Sequence, residues 1–225
     1  MTSKEQLSKL YKSRFPEQTL ERKNAIWRVI CNDYFQRFVT HENLVVDIAC
    51  GYGEFLNNIK AGEKIGIDLN PDSANFLDGN VKFFNDNAMA VAQITGGKAN
   101  VIFASNFLEH LPNKSTLDNL LREVYRAIIP GGTFIVVGPN LRYLPGEYWD
   151  FYDHHLGLTH LSLTEALELQ GFQVNICLPR FLPYTTKSAL PTHPFLVSCY
   201  LKAPIIWKLL GKQFLLVATK QQKSS

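Results

Sequence analysis

The sequence predicts a doubly wound α/β fold. Short apolar runs alternate with helical patterns. The first five runs are nearly continuous rather than alternating, as expected of parallel strands covered on both faces. A glycine turn follows the first run directly, where open α/β sheets hold their ligands.

Seven runs rich in β-branched or aromatic residues read as strands: NLVVDI (43–48), KIGID (64–68), VKFF (81–84), NVIFAS (100–105), TFIVVG (133–138), FQVNICL (172–178) and QFLLVAT (213–219). Helical patterns are SKEQLSKLYKSRF and LERKNAIWRVICNDYFQRFV before the first strand, and GEFLNNIK after it. In STLDNLLREVYRAI, apolar residues recur at Leu117, Leu120, Leu121, Val124 and Ile128, and IPGG ends the helix. SLTEALELQGF reads as a helix with Ser162 as its cap and Gly171 as its stop. There is no internal repeat, and only QQKSS reads as a tail.

With 225 residues, 46% hydrophobic and 19% charged, the chain suits one packed α/β domain. A net charge of +3 and the lack of a long basic run argue against nucleic acid. Four cysteines without a CxxC pair point to a reducing, cytoplasmic compartment. The N-terminal stretch has no apolar signal core. The apolar stretch FLVSCYLKAPIIWKLLGKQFLLVATK is broken by Lys202, Pro204, Lys208, Gly211 and Lys212. No stable membrane span is expected there; the stretch can rest on a membrane surface, but a core helix is the preferred reading.

In VVDIACGYGEF, Asp47 precedes a turn built on Gly51 and Gly53. The glycines permit a tight turn and close approach of backbone to a ligand. The third glycine of the dinucleotide fingerprint is missing, and no phosphate-loop motif is present. Asp68 ends the second strand, where a carboxylate can accept both hydroxyl hydrogens of a ribose. Asp86, just past the third strand, can take an adenine amino group. Asn106, Glu109 and His110 form a polar cluster at the tip of the fourth.

This array resembles the class I S-adenosylmethionine-dependent methyltransferases of small-molecule type. VVDIACGYGEF is similar to their first motif, with Ala49 at its first glycine. GIDLN is similar to the ribose motif, NDNAMA to the adenine motif, and LREVYRAIIPGG to the turn before the fifth strand. The likeness is good over about residues 40–140. It implies a Rossmann-like, seven-stranded, mostly parallel sheet with an N-terminal helical lid, in a single methyltransferase domain over 1–225. Residues 1–42 are the lid, 43–140 the cofactor-binding core, and 141–225 the acceptor-side loop and C-terminal strands. The implied cofactor is S-adenosyl-L-methionine. Ala49, Gly51 and Gly53 are then expected along its methionine part, Asp68 on the ribose, Leu69 on the adenine face, and Asp86 with Asn87 and Ala88 at the adenine edge. Arg14 on the lid is expected at the cofactor carboxylate, and His110 beside the methyl group as a base.

The implied acceptor is a small or medium organic molecule, a hydroxyl of a sugar, polysaccharide precursor or secondary metabolite. Two rival readings are a nicotinamide oxidoreductase and a non-catalytic binding subunit. The stretch EYWDFYDHHLGLTH (147–160) holds three carboxylates and three of the six histidines. Asp153, His154, His155 and His160 could in principle converge on a metal, but adjacent histidines on an extended segment point apart, so no metal is expected. An ordinary loop is a second reading. The third is an acceptor-binding lip, with Tyr148, Trp149 and Tyr152 supplying flat faces and His154 or His155 approaching the acceptor hydroxyl.

Overall fold

The structure, a computed structural model, describes residues 17–184 and 193–222. The strands are β1 (Leu44–Ile48), β2 (Glu63–Ile67), β3 (Val81–Phe84), β4 (Ala99–Ser105), β5 (Ile128–Pro139), β6 (Phe172–Leu178) and β7 (Gln213–Lys220). The helices are α1 (Glu17–Asp33), α2 (Val91–Thr95), α3 (Lys114–Ala127), α4 (His160–Leu169), α5 (Pro194–Leu201) and α6 (Pro204–Leu210). All seven expected strands form, in one sheet of order β3-β2-β1-β4-β5-β7-β6. β7 runs antiparallel to both β5 and β6.

Burial explains the sequence pattern. Val45, Val46 and Ile48 of β1, Ile102 and Phe103 of β4, and Phe134 and Ile135 of β5 have essentially no exposed surface. Strands covered on both faces need no polar alternation. β6 does alternate buried or half-buried with exposed positions, because it is an edge strand. β3 departs from the expectation of a fully covered strand. It is the other edge, and Lys82 is exposed there.

The described residues fall into two compact units, 17–88 with 193–203 and 89–184 with 204–222. In the first, α1 packs on the segment after β1. Lys23 pairs with Glu54 at 2.6 Å, and Phe35, just past α1, meets Phe55 edge-on at 6.0 Å. Asp33 at the end of α1 accepts the Ser198 hydroxyl of α5. The expected helix GEFLNNIK (53–60) is not one; residues 54–58 form successive turns. The reason is local: Asn58 Nδ2 takes the Glu54 carbonyl at 2.8 Å, and Asn57 spends its side chain on Phe76 O and Asp78 N. Asparagine side chains that bond backbone compete with the helix ladder.

In the second unit, α3 is capped by Asn113, whose Oδ1 accepts the Thr116 N–H at 2.9 Å. Leu117, Leu120, Leu121 and Val124 are its buried stripe, and burying each such side chain stabilises by ~2 kcal/mol. α4 is capped by Thr159 rather than Ser162; Ser162 closes the reciprocal capping box from the third helical position. The preferred core-helix reading of the C-terminal stretch fails for α6. Only Trp207 of that helix is buried, edge-on to Phe181 at 5.3 Å.

Candidate active site

The cradle lies in the first unit. β1 ends at Ile48, and three of the next five residues adopt left-handed backbone: Ala49 (φ 64°), Gly51 (φ 55°) and Gly53 (φ 75°). The Ala49 and Cys50 N–H groups donate to Ile67 O at 2.8 and 3.1 Å, which ties the turn to the end of β2. Gly51 N–H then donates to Asp68 Oδ2 at 2.8 Å, and Asn70 N–H to Oδ1 at 2.8 Å. A carboxylate has about four lone-pair sites, so each oxygen keeps room for one more donor. Burial pushes the Asp68 carboxyl up, while the Asn70 and Gly51 N–H groups hold it down.

At Gly53 the left-handed backbone and local crowding both disfavour a side chain. A Cβ there would stand 2.4 Å from Leu77 Cδ2. Asp47 is buried in β1. Its carboxyl is raised well above the ordinary carboxylate range by burial first, then by Glu54 and Asp68. Beyond β3, Asn85 Nδ2 donates to the carbonyls of Asp68 and Leu69, both at 3.0 Å, joining the ends of β2 and β3. Sequence reading passed over Asn85, although it stands beside Asp86 in the same NDN triplet. Asp86 is exposed and accepts the Asn87 N–H at 2.6 Å; Ala88 is buried. Leu69 keeps 37% of its surface open, unusual for a leucine at a strand end. Paired acceptors on Asp68, an open apolar face at Leu69 and an exposed carboxylate at Asp86 match the polarity of a ribose and an adenine, so these residues fit a nucleoside ligand. Arg14 lies outside the described residues.

The second unit holds a polar cluster. Asn106, just past β4, is in left-handed backbone (φ 49°), with its amide donating to the Ser105 hydroxyl at 3.0 Å. A short 3-10 turn, Leu108–His110, follows. Glu109 O accepts the N–H groups of His155 (2.9 Å) and Leu156 (3.0 Å), which sews the 147–160 stretch onto this turn. His110 Nδ1 lies 2.9 Å from Asp153 O and 3.4 Å from Asp153 Oδ2. A carbonyl only accepts, so Nδ1 carries the hydrogen, and Nε2 is the nitrogen that is unprotonated whenever the ring is neutral. His154 is turned inward, its ring 5.0 Å from that of His110, whereas His155 is exposed.

Glu109 is buried beside them. Burial raises its carboxyl, His110 lowers it and Asp153 raises it further. Glu109, His110 and His154 offer ligand atoms within 4.8 Å of one another. This is not the Asp153–His154–His155–His160 set. His160 faces Asn140 Nδ2 at 2.9 Å instead. Tyr148 does not serve as a lip face, because it is fully buried. Its hydroxyl donates to Leu156 O at 2.5 Å and accepts Leu158 N–H at 3.3 Å, fixing the loop from inside. Trp149 and Tyr152 are exposed.

A glycine turn after the first strand and carboxylates at the ends of the next two, on a sheet of this order, are the arrangement of class I S-adenosylmethionine-dependent methyltransferases. The family comparison agrees. Residues 19–175 match the family described as "Methyltransferase domain", and the chain belongs to it. That membership also sets aside the nicotinamide reading. Solved structures share the fold. A SAM-dependent methyltransferase from Archaeoglobus fulgidus is 22% identical with TM-score 0.63, covering 86% of this chain and 92% of that one. A SAM-dependent methyltransferase from Methanosarcina mazei is 15% identical with TM-score 0.60, covering 84% and 97%. Geranyl diphosphate C-methyltransferase from Streptomyces coelicolor, solved with Mg2+, geranyl diphosphate and S-adenosyl-L-homocysteine, is 14% identical with TM-score 0.56, covering 84% and 78%. No curated protein matches the sequence.

Proposed function

We propose that this enzyme methylates a hydroxyl of a small or medium organic acceptor, glycan-like or a secondary metabolite. The carrying observation is the His110–Asp153 contact, which leaves Nε2 of a neutral imidazole as a proton acceptor. A hydroxyl oxygen is a weak nucleophile until its proton leaves, so such a base serves it directly.

Bound S-adenosyl-L-methionine supplies a sulfonium-activated methyl group. Asp68 accepts the ribose hydroxyls with the lone pairs left by Gly51 and Asn70. Leu69 covers the adenine face, and Asp86 with the Asn87–Ala88 backbone meets its edge. Asp47, Ala49, Gly51 and Gly53 shape the turn along the methionine part; Asn106 and Arg14 complete the binding set. With the methyl group leaving the sulfonium sulfur, which becomes a thioether, His110 Nε2 would take the proton of the acceptor hydroxyl and Asp153 Oδ2 would stabilise the resulting imidazolium. His154 orients the acceptor inside the cluster, and the exposed His155 is a second contact from the loop rim. Trp149 and Tyr152 offer flat faces to the acceptor.

Four free thiols, two buried and two exposed, support a reducing, cytoplasmic setting. The mild net charge favours a small acceptor over nucleic acid. Among the described residues no helix is long and apolar enough to cross a membrane. Calorimetry with S-adenosylmethionine and S-adenosylhomocysteine tests the cofactor half of this reading, and product mass spectrometry over a panel of hydroxyl, amine and carbon acceptors tests the other. Absence of binding, or methylation only on nitrogen or carbon, removes it.

A further inference from the structure

The basic and acidic residues of this chain are unevenly placed. Downstream of Glu168 the sequence has seven Lys and Arg and no Asp or Glu, whereas residues 1–168 carry sixteen basic against twenty acidic. Within that basic segment, α6 (PIIWKLL) turns its aliphatic residues outward. Ile205 is 77% and Leu209 72% exposed, and Ile206 and Leu210 are exposed as well. Four large aliphatics open to water on a seven-residue helix form an unusually concentrated apolar surface.

The orientation is locked. Trp207 is buried against Phe181. Arg180 reaches across to donate to Leu209 O at 2.8 Å and Gly211 O at 2.7 Å, closing the helix C-terminus while its guanidinium lies over Tyr143. Gly211 N–H returns to Trp207 O at 2.8 Å. The helix cannot roll its aliphatic side inward without losing the tryptophan and both carbonyl bonds. Lys208 is exposed on the same helix, and Lys212 follows it, held by Glu147 at 2.6 Å.

We propose that α6 docks this protein on the surface of an anionic lipid bilayer. Ile205, Ile206, Leu209 and Leu210 enter the acyl boundary, and the exposed Lys208 meets the headgroups. Charge complementarity selects this occupant: α6 carries Lys208 and no carboxylate, so a negative interface suits it better than a second copy, which would bring the same lysine against it. Peripheral contact of this kind needs no crossing helix. It is independent of which acceptor is methylated.

The test is flotation of the full-length protein with vesicles of phosphatidylcholine alone and of phosphatidylcholine with about one-third phosphatidylglycerol. Binding to the anionic vesicles is expected, weakening as salt rises. Ile205→Ser/Leu209→Ser should weaken it at least about ten-fold, and Lys208→Ala about five-fold. The double variant should melt with the wild type, since both side chains are exposed. Four outcomes overturn the proposal: no binding to either vesicle; equal binding by the double variant; a dimer in sedimentation that the double variant loses, which makes the face a self-interface; or a melting point lowered by several degrees in the double variant, which means another part of the chain covers it.

Discussion

His110 and Asp153, forty-three positions apart in sequence, are joined by a hydrogen bond from the imidazole Nδ1–H to the main-chain carbonyl at 2.9 Å. The bond selects the tautomer and aims the ring. It also separates two roles by mutation. His110→Asn keeps a donor where Nδ1 stood but has no Nε2. We expect kcat to fall by about 10²–10⁴-fold, with S-adenosylmethionine affinity and melting temperature near wild type. Equal losses in kcat and melting temperature would assign His110 a purely structural role.

Asp68 carries the cradle through two backbone N–H groups. Asp68→Ala removes the proposed ribose acceptor and leaves those donors unpaired. Cofactor binding measured by calorimetry should weaken by about 1.5–3 kcal/mol, roughly 10–150-fold, with a small loss of stability. Unchanged affinity would move the ribose elsewhere.

The glycine turn makes opposed predictions at two positions. Ala49 holds φ 64° with a Cβ, a conformation that costs about 1–2 kcal/mol. Ala49→Gly relieves that strain and returns some of the gain as unfolded-state entropy, so chemical denaturation should show a net stabilisation of about 0.5 kcal/mol. Gly53→Ala places a methyl 2.4 Å from Leu77 Cδ2 at φ 75°, and should destabilise by about 1–3 kcal/mol.

Stability should fall in mild acid through His160. Asn140 Nδ2 donates to Pro179 O at 2.8 Å and to His160 Nδ1 at 2.9 Å, so Nδ1 accepts and the ring is neutral. Burial, then Arg142, lowers its pKa below the ordinary 6.5. The folded state therefore binds fewer protons than the unfolded one between the lowered value and 6.5. This contribution is complete above 6.5 and is lost as pH falls through the folded-state value. Denaturation midpoints across that window should slope downward toward acid in the wild type and flatten in His160→Gln.

Much of the molecule was legible along the chain. All seven strands, the stripe of α3 and the Asp47–Asp68–Asp86 series follow from local pattern, because parallel strands buried on both faces write themselves as apolar runs and strand ends follow directly. The missed helix at 53–60 failed because the asparagine side chains there found backbone partners that helical spacing does not reveal. The loop 147–160 is the clearest case of tertiary choice. Its composition could not say which histidine turns inward. Two N–H groups bound to Glu109 O, and Tyr148 held from within, place His154 inside and leave His155 in water. The same holds for α6, whose apolar letters read as core until Trp207 and Arg180 committed them outward. Burial on a strand is encoded by period. The facing of a short loop or helix depends on partners distant in sequence, and only the folded chain brings those partners together.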